Sequence, residues 1–140
     1  MQTHLEDRLM SRRAMFIFAA ISGFFLVAFG AFGAHVLNKT LGATEMAWIH
    51  TGLEYQAYHT LAVLGLGAAM LYRCNIWFYW SSASMALGTV LFSGSLYSLA
   101  LSHLTFFVFI TPVGGLFFLV GWLLMLIGAL RLKTKAERHE

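Results

Sequence analysis

Four long apolar runs, with basic residues gathered at alternate ends, constrain this chain to cross a membrane. The runs cover 14–34, 51–72, 76–101 and 106–130. Each is close to or above the roughly 20 residues that a helix rising about 1.5 Å per residue needs to span about 30 Å of hydrocarbon. Arg8, Arg12 and Arg13 precede the first run, and Arg73 sits between the second and third. Arg131, Lys133, Lys135 and Arg138 follow the fourth, and Lys39 alone lies in a connection at the other side. The positive-inside bias then predicts that both termini and the middle turn are cytoplasmic. The expected fold is an all-α membrane protein, a four-helix transmembrane antiparallel bundle forming one integral membrane domain over 1–140.

Composition excludes a soluble alternative, because 59% of the 140 residues are hydrophobic and only 11% are charged. That leaves no stretch polar enough for a separate soluble module. The net charge of +3 does not point to nucleic acid. Its basic residues flank the spans, where topology and anionic headgroups account for them. Cys74 is the single cysteine, so no internal disulfide forms. The first run has features of export signals, with Ser11-Arg12-Arg13-Ala14-Met15-Phe16 before it and Ala31-Phe32-Gly33 as a cleavage-like end. Such signals export soluble material, whereas three more apolar runs follow here, so an uncleaved span is expected.

Residues 1–13 are expected as a polar cytoplasmic tail or surface helix. From His35 to His50 polar and apolar residues alternate, and Trp48 suits headgroup depth. The pattern predicts an outer connection with a short interfacial helix. The turn at Arg73-Cys74-Asn75 and the one around Ser102-His103 are short enough to demand antiparallel neighbours.

Helices in lipid gain little from burying apolar surface against one another, so small residues that allow close approach mark their contacts. Gly114, Gly121 and Gly128 recur every seven residues along one face of the fourth run, and Gly30 and Ala34 form a small-xxx-small pair in the first. Pro112 removes a backbone donor early in the fourth run and, with Gly114 and Gly115, predicts a kink.

Depth organises the polar residues. Glu54, Tyr55, Gln56, Tyr58 and His59 fall in the outer half of the second span. Ser93, Ser95, Tyr97 and Ser98 do so in the third, Thr111 in the fourth, and His35, His50 and His103 lie near the same surface. The inner half below is almost wholly apolar. Ionisable groups inside a bilayer are costly unless paired or hydrated, which makes Glu54 and His59 a candidate site. Glu54 shares a helix face with His50 and Tyr58, and Tyr55 with His59, each pair four apart.

Three meanings fit this layer. Its side chains could hydrogen-bond across helices and set their register, or line a small outward-facing pocket in which Glu54 and His59 handle charge. Alternatively, His35, His50, His59 and His103 could join Glu54 around a metal or haem. No ligand spacing is diagnostic, so neither metal nor cofactor is expected. Enzyme signatures are also lacking: the chain has no phosphate-binding glycine loop, no Gly-x-Ser-x-Gly and no His-Glu-x-x-His.

The segments Gly30-Ala31-Phe32-Gly33-Ala34-His35, Trp48 with Tyr55-Gln56-Ala57-Tyr58-His59, Leu91-Phe92-Ser93-Gly94-Ser95-Leu96-Tyr97, Ile110-Thr111-Pro112-Val113-Gly114-Gly115 and Gly121-Trp122 together resemble the YgdD-like family of bacterial inner-membrane proteins. The resemblance spans nearly all of 14–130. It implies a four-span inner-membrane protein and supplies no catalytic residues to carry across. The leading expectation is a non-enzymatic accessory or structural protein of the bacterial inner membrane. Its surroundings would be the lipid bilayer and a homo-oligomer or larger membrane complex. The alternative is a small transporter or ion-binding protein that uses Glu54 and His59.

Overall fold

The computed structural model describes residues 2–132, with side chains from Arg12 onward. The side chain of Arg8, and Lys133, Lys135 and Arg138 of the basic tail, lie outside the described residues. Four long helices follow one another: α1 (Gln2–His35), α2 (Ala43–Tyr72), α3 (Ile76–Ser102) and α4 (Phe107–Leu130), with a single 3-10 turn at Leu37–Lys39. No strand occurs among the described residues. Among the described residues three stretches are long and apolar enough to cross a membrane: Arg12–Lys39, Ile76–Ser102 and Phe107–Leu130. The polar first half of α2 keeps it out of that set, although its 30 residues rise about 45 Å.

The helices pack in chain order, α1 on α2, α2 on α3 and α3 on α4, with α3 and α4 in closest association. Two connections explain why neighbours stay antiparallel. Asn75 caps α3 by accepting the Trp77 amide at 2.9 Å, and its side-chain amide donates to the Gly128 carbonyl at 3.0 Å. One residue thus starts α3 and fastens the end of α4. At the other end His103 takes the left-handed conformation, φ 57, and its amide closes α3 on the Leu99 carbonyl. That lets the chain reverse within a few residues.

The connection after α1 differs from the sequence expectation. Residues 43–50 form no separate interfacial helix; they are the first turns of α2, and only the 3-10 turn at Leu37–Lys39 stands apart. No helix breaker lies between the N-capping Gly42 and Gly52. Met46 and Ile49 are buried with Leu37, Tyr97 and Ala100, so packing carries the helix on beyond the polar residues. Helix α1 likewise starts at Gln2, well before the apolar run.

Close approach of α3 and α4 depends on glycine. A β-carbon on Gly121 would stand 2.6 Å from Cγ of Met85, and one on Gly128 2.7 Å from the Phe78 ring. On Gly114 it would meet the backbone of Phe92, 2.7 Å from its Cα. Helix α3 contributes Gly88, whose β-carbon would lie 3.1 Å from the Gly114 carbonyl. At this separation serine hydroxyls reach across: Ser81 donates to the Gly121 carbonyl and Ser84 to that of Phe117, both at 2.7 Å. The other small residues sit differently. A β-carbon on Gly115 or Gly30 would make only ordinary contact, 3.9 Å from Phe92 or Leu53, and Ala34 is exposed. Helix α4 continues through Pro112.

Candidate functional site

Helix α2 carries polar side chains on more than one face, and each face meets a different surrounding. Towards α1 and α3 it presents Gln56, which is buried. The Gln56 amide donates to the carbonyl and the hydroxyl of Ser22, both at 3.0 Å. The phenol of Tyr97 donates to the Gln56 side-chain oxygen at 2.8 Å. Ser22 also shares a hydrogen bond with Thr60 at 2.6 Å. Both ends of one amide are therefore engaged by two other helices. Nearby, Ser93 donates to the Gly52 carbonyl at 2.7 Å, a second tie between α3 and α2.

Towards α4 stands His59, 4% exposed. Its ring lies flat on Phe118, centroids 3.5 Å apart with 7° between planes. The Trp122 indole donates to Nε2 at 3.2 Å. An indole N–H can only donate, so Nε2 accepts, and Nδ1 carries the proton that it gives to the Tyr55 carbonyl at 2.7 Å. The neutral imidazole satisfies both bonds; a protonated ring would set its Nε2–H against the Trp122 N–H. Phe118 lies midway along α4, so His59 packs at the middle level of that helix.

Glu54, Tyr55 and Tyr58 face outward. Glu54 and Tyr58 are exposed, and the Tyr58 phenol donates to the Glu54 carboxylate at 2.5 Å within a single turn of α2. Tyr55 packs its ring on Phe92 with centroids 4.7 Å apart. Together with Pro112, Leu116, Leu119 and Trp122, these tyrosines border an open groove of about 590 Å³ between α2 and α4.

The remaining residues scatter. Ser95 and Thr111 share a hydrogen bond at 2.7 Å between α3 and α4. His35 is exposed at the end of α1, and His50 is exposed on the first part of α2. His103 comes within 4.0 Å of Glu45, not of Glu54. Among the described residues no three His, Cys, Asp or Glu side chains converge to hold a metal ion. The layer is thus several separate contacts, not one cluster.

Sequence reasoning missed Ser22, Thr60, Ser81 and Ser84, which are buried at inter-helix bonds. A lone hydroxyl in an apolar run gives no signal of its partner. Ser81 and Ser84 lie in the half of α3 nearer Arg73, so that half is not wholly apolar in its contacts. The Trp122 bond was equally hidden, because His59 and Trp122 are 63 positions apart.

Comparison with known proteins bears on this arrangement. Residues 29–115 match the family model described as Protein of unknown function (DUF423). The chain is 70% identical over 131 residues to the UPF0382 inner membrane protein YgdD of Escherichia coli (strain K12), covering 94% of this chain and 100% of that one. It is 48% identical over 115 residues to a UPF0382 membrane protein of Haemophilus influenzae, covering 82% and 92% of the two chains. With the UPF0382 membrane protein SSP2132 of Staphylococcus saprophyticus the identity is 37% over 120 residues, covering 86% and 99%. No solved structure matches the chain. The matched stretch holds Gln56, His59, Ser93, Tyr97 and Gly114, and the relatives' names carry no enzymatic or transport activity. The chain is a multi-pass membrane protein and belongs to the DUF423 family of YgdD-like inner membrane proteins.

Proposed function

We propose that this protein is a non-enzymatic accessory or structural component of the bacterial inner membrane. In this reading α2 crosses the bilayer as a fourth span, and both termini lie in the cytoplasm. The observation that carries the reading is the saturation of the central polar groups. Gln56 spends both ends of its amide on Ser22 and Tyr97, and His59 spends both ring nitrogens on Tyr55 and Trp122. Groups so engaged hold helices in register, and the ring of His59 keeps neither a lone pair nor an N–H for a solute. The length of α2 and its position between α1 and α3 support a fourth span, as does the burial of its Gln56, His59 and Thr60 by protein. Eight basic residues at the termini and middle turn, against Lys39 alone at the opposite end, support the orientation. The glycine face of α4 is used within the chain, so a homo-oligomer or larger complex would form through the exposed apolar sides of α1 and α4.

The test compares wild type with Gln56→Leu and His59→Gln after reconstitution into liposomes. The expected result is lower thermal stability in both variants and no proton or solute flux in any sample above protein-free liposomes. A flux carried by wild type and lost in His59→Gln at unchanged stability would overturn the reading in favour of a small transporter.

A further inference from the structure

Glu54 contributes nothing to the contacts between helices. Its bond to Tyr58 lies within its own helix, and no Lys, Arg or His among the described residues forms an ion pair with it. A carboxylate held at the lipid-facing side of a span is costly unless a cation or water meets it. The Glu54 carboxylate is bonded to Tyr58, and Tyr58 stands at the edge of the groove of about 590 Å³ between α2 and α4. Its walls are rings: Tyr55, Tyr58, Phe92, Phe118 and Trp122. Aromatic faces attract a weakly hydrated cation through their quadrupoles, most strongly when water is excluded.

Gly52 meets Ser93 and Gly114 meets Phe92, which sets Gly52 about level with Val113 and Glu54, two residues further along α2, about level with Gly115. That is roughly 12 Å, at about 1.5 Å per residue, from the start of α4 at Phe107. His59 and Phe118 mark the deep end at the middle of the bundle. The acid therefore lies only a few ångströms, about three residues of α4, above the aromatic floor of the groove. We propose that this groove binds a lipophilic organic cation, of the quaternary ammonium or phosphonium class, with its charge at Glu54 and Tyr58 and its apolar body against Tyr55, Phe92 and Trp122. Charge complementarity selects this occupant over an acyl chain or a helix of a second copy, neither of which offers a positive group to Glu54. The site rests on α2 crossing the bilayer, which labelling on either side of α2 tests separately.

The experiment uses the full chain in nanodiscs of zwitterionic lipid and follows quenching of tryptophan fluorescence, to which Trp122 contributes. Tetraphenylphosphonium is the charged probe, and triphenylphosphine oxide is its neutral counterpart. The expected result is saturable tetraphenylphosphonium binding to wild type, weakened about tenfold or more in Glu54→Gln. Glu54→Asp should retain most of the affinity, and the neutral probe should not distinguish wild type from Glu54→Gln. Because Glu54 is exposed and holds no other helix, Glu54→Gln should unfold at the wild-type temperature, which separates lost binding from lost fold. Equal binding of both probes by both proteins would mean partition into the bilayer, and would overturn the site. Absence of saturable binding to wild type would do the same. Binding that Glu54→Gln keeps but Trp122→Phe loses would also overturn it, by removing the carboxylate from the interaction.

Discussion

Gly52 sits directly under the ring of Tyr97: a β-carbon at Gly52 would stand 2.5 Å from Cε1 and 3.1 Å from Cδ1 of that ring. The phenol of Tyr97 is held by Gln56, and the carbonyl of Gly52 by Ser93. One missing methyl group thus permits two of the hydrogen bonds that join α2 to α3. Gly52→Ala should cost on the order of 1–3 kcal/mol, as overpacking of a filled contact does. Thermal unfolding in a mild detergent measures it. Adding Tyr97→Leu should make the pair strongly non-additive, since the second change removes the ring that the methyl group strikes. Strict additivity would mean that the two positions do not meet.

The glycines of this protein should divide sharply. Gly114→Ala drives a methyl group into the backbone of Phe92, and no side-chain rotation relieves that. It should destabilise by about 2 kcal/mol or more. Gly65→Ala meets nothing within 4 Å, and should be neutral or stabilising by up to about 1 kcal/mol through helix propensity. Parallel melting curves of the two variants decide the matter, and similar losses in both would refute the α3–α4 packing.

Trp122→Phe keeps a ring against the groove but removes the donor to His59. In bilayers such inter-helix bonds are worth roughly 0.6 kcal/mol, reaching about 1.7 at most. A destabilisation of that size is expected for Trp122→Phe, and little further loss when His59→Phe is combined with it. A double-mutant cycle with a coupling near zero would show that the bond contributes nothing.

The single cysteine offers a direct reading of topology. Cys74 is exposed in the turn between α2 and α3. In intact cells a membrane-impermeant maleimide should leave Cys74 unlabelled and should label it after permeabilisation. With Cys74 replaced by serine, Lys39→Cys should react in intact cells. Because these positions flank α2, the two results together test both its crossing and the direction of the bundle. The reverse pattern would invert the bundle, and labelling of both from outside would remove α2 from the membrane.

The four long helices were legible because each contains one hydrophobic run, but the starts of α1 and α2 were not, since both helices extend past their runs into polar sequence. The seven-residue recurrence of Gly114, Gly121 and Gly128 likewise announced a contact face, since periodicity specifies which side of a helix is narrow. Partners were not legible. Nothing local to His59 points to Trp122, and nothing local to Gln56 points to Ser22, because those pairings depend on how separate helices rotate against each other. Counting from the end of an apolar run put His59 in the outer half of its span; α2 itself starts earlier than that run, at Ala43, and its first turns pack beside Leu37 and Tyr97.

The packing of each helix chiefly on the one before it bears on how the protein is made. Such an order keeps contacting segments close in sequence, which favours rapid folding with little exposure to wrong pairings. During synthesis α1 can receive α2, and α3 can settle on α2, without waiting for later parts of the chain. His59 departs from that order, since its cover of Phe118 and Trp122 arrives only with α4. Until then an unsatisfied imidazole nitrogen stays at the middle of the nascent bundle, and the arrival of the last helix is the event that seals it.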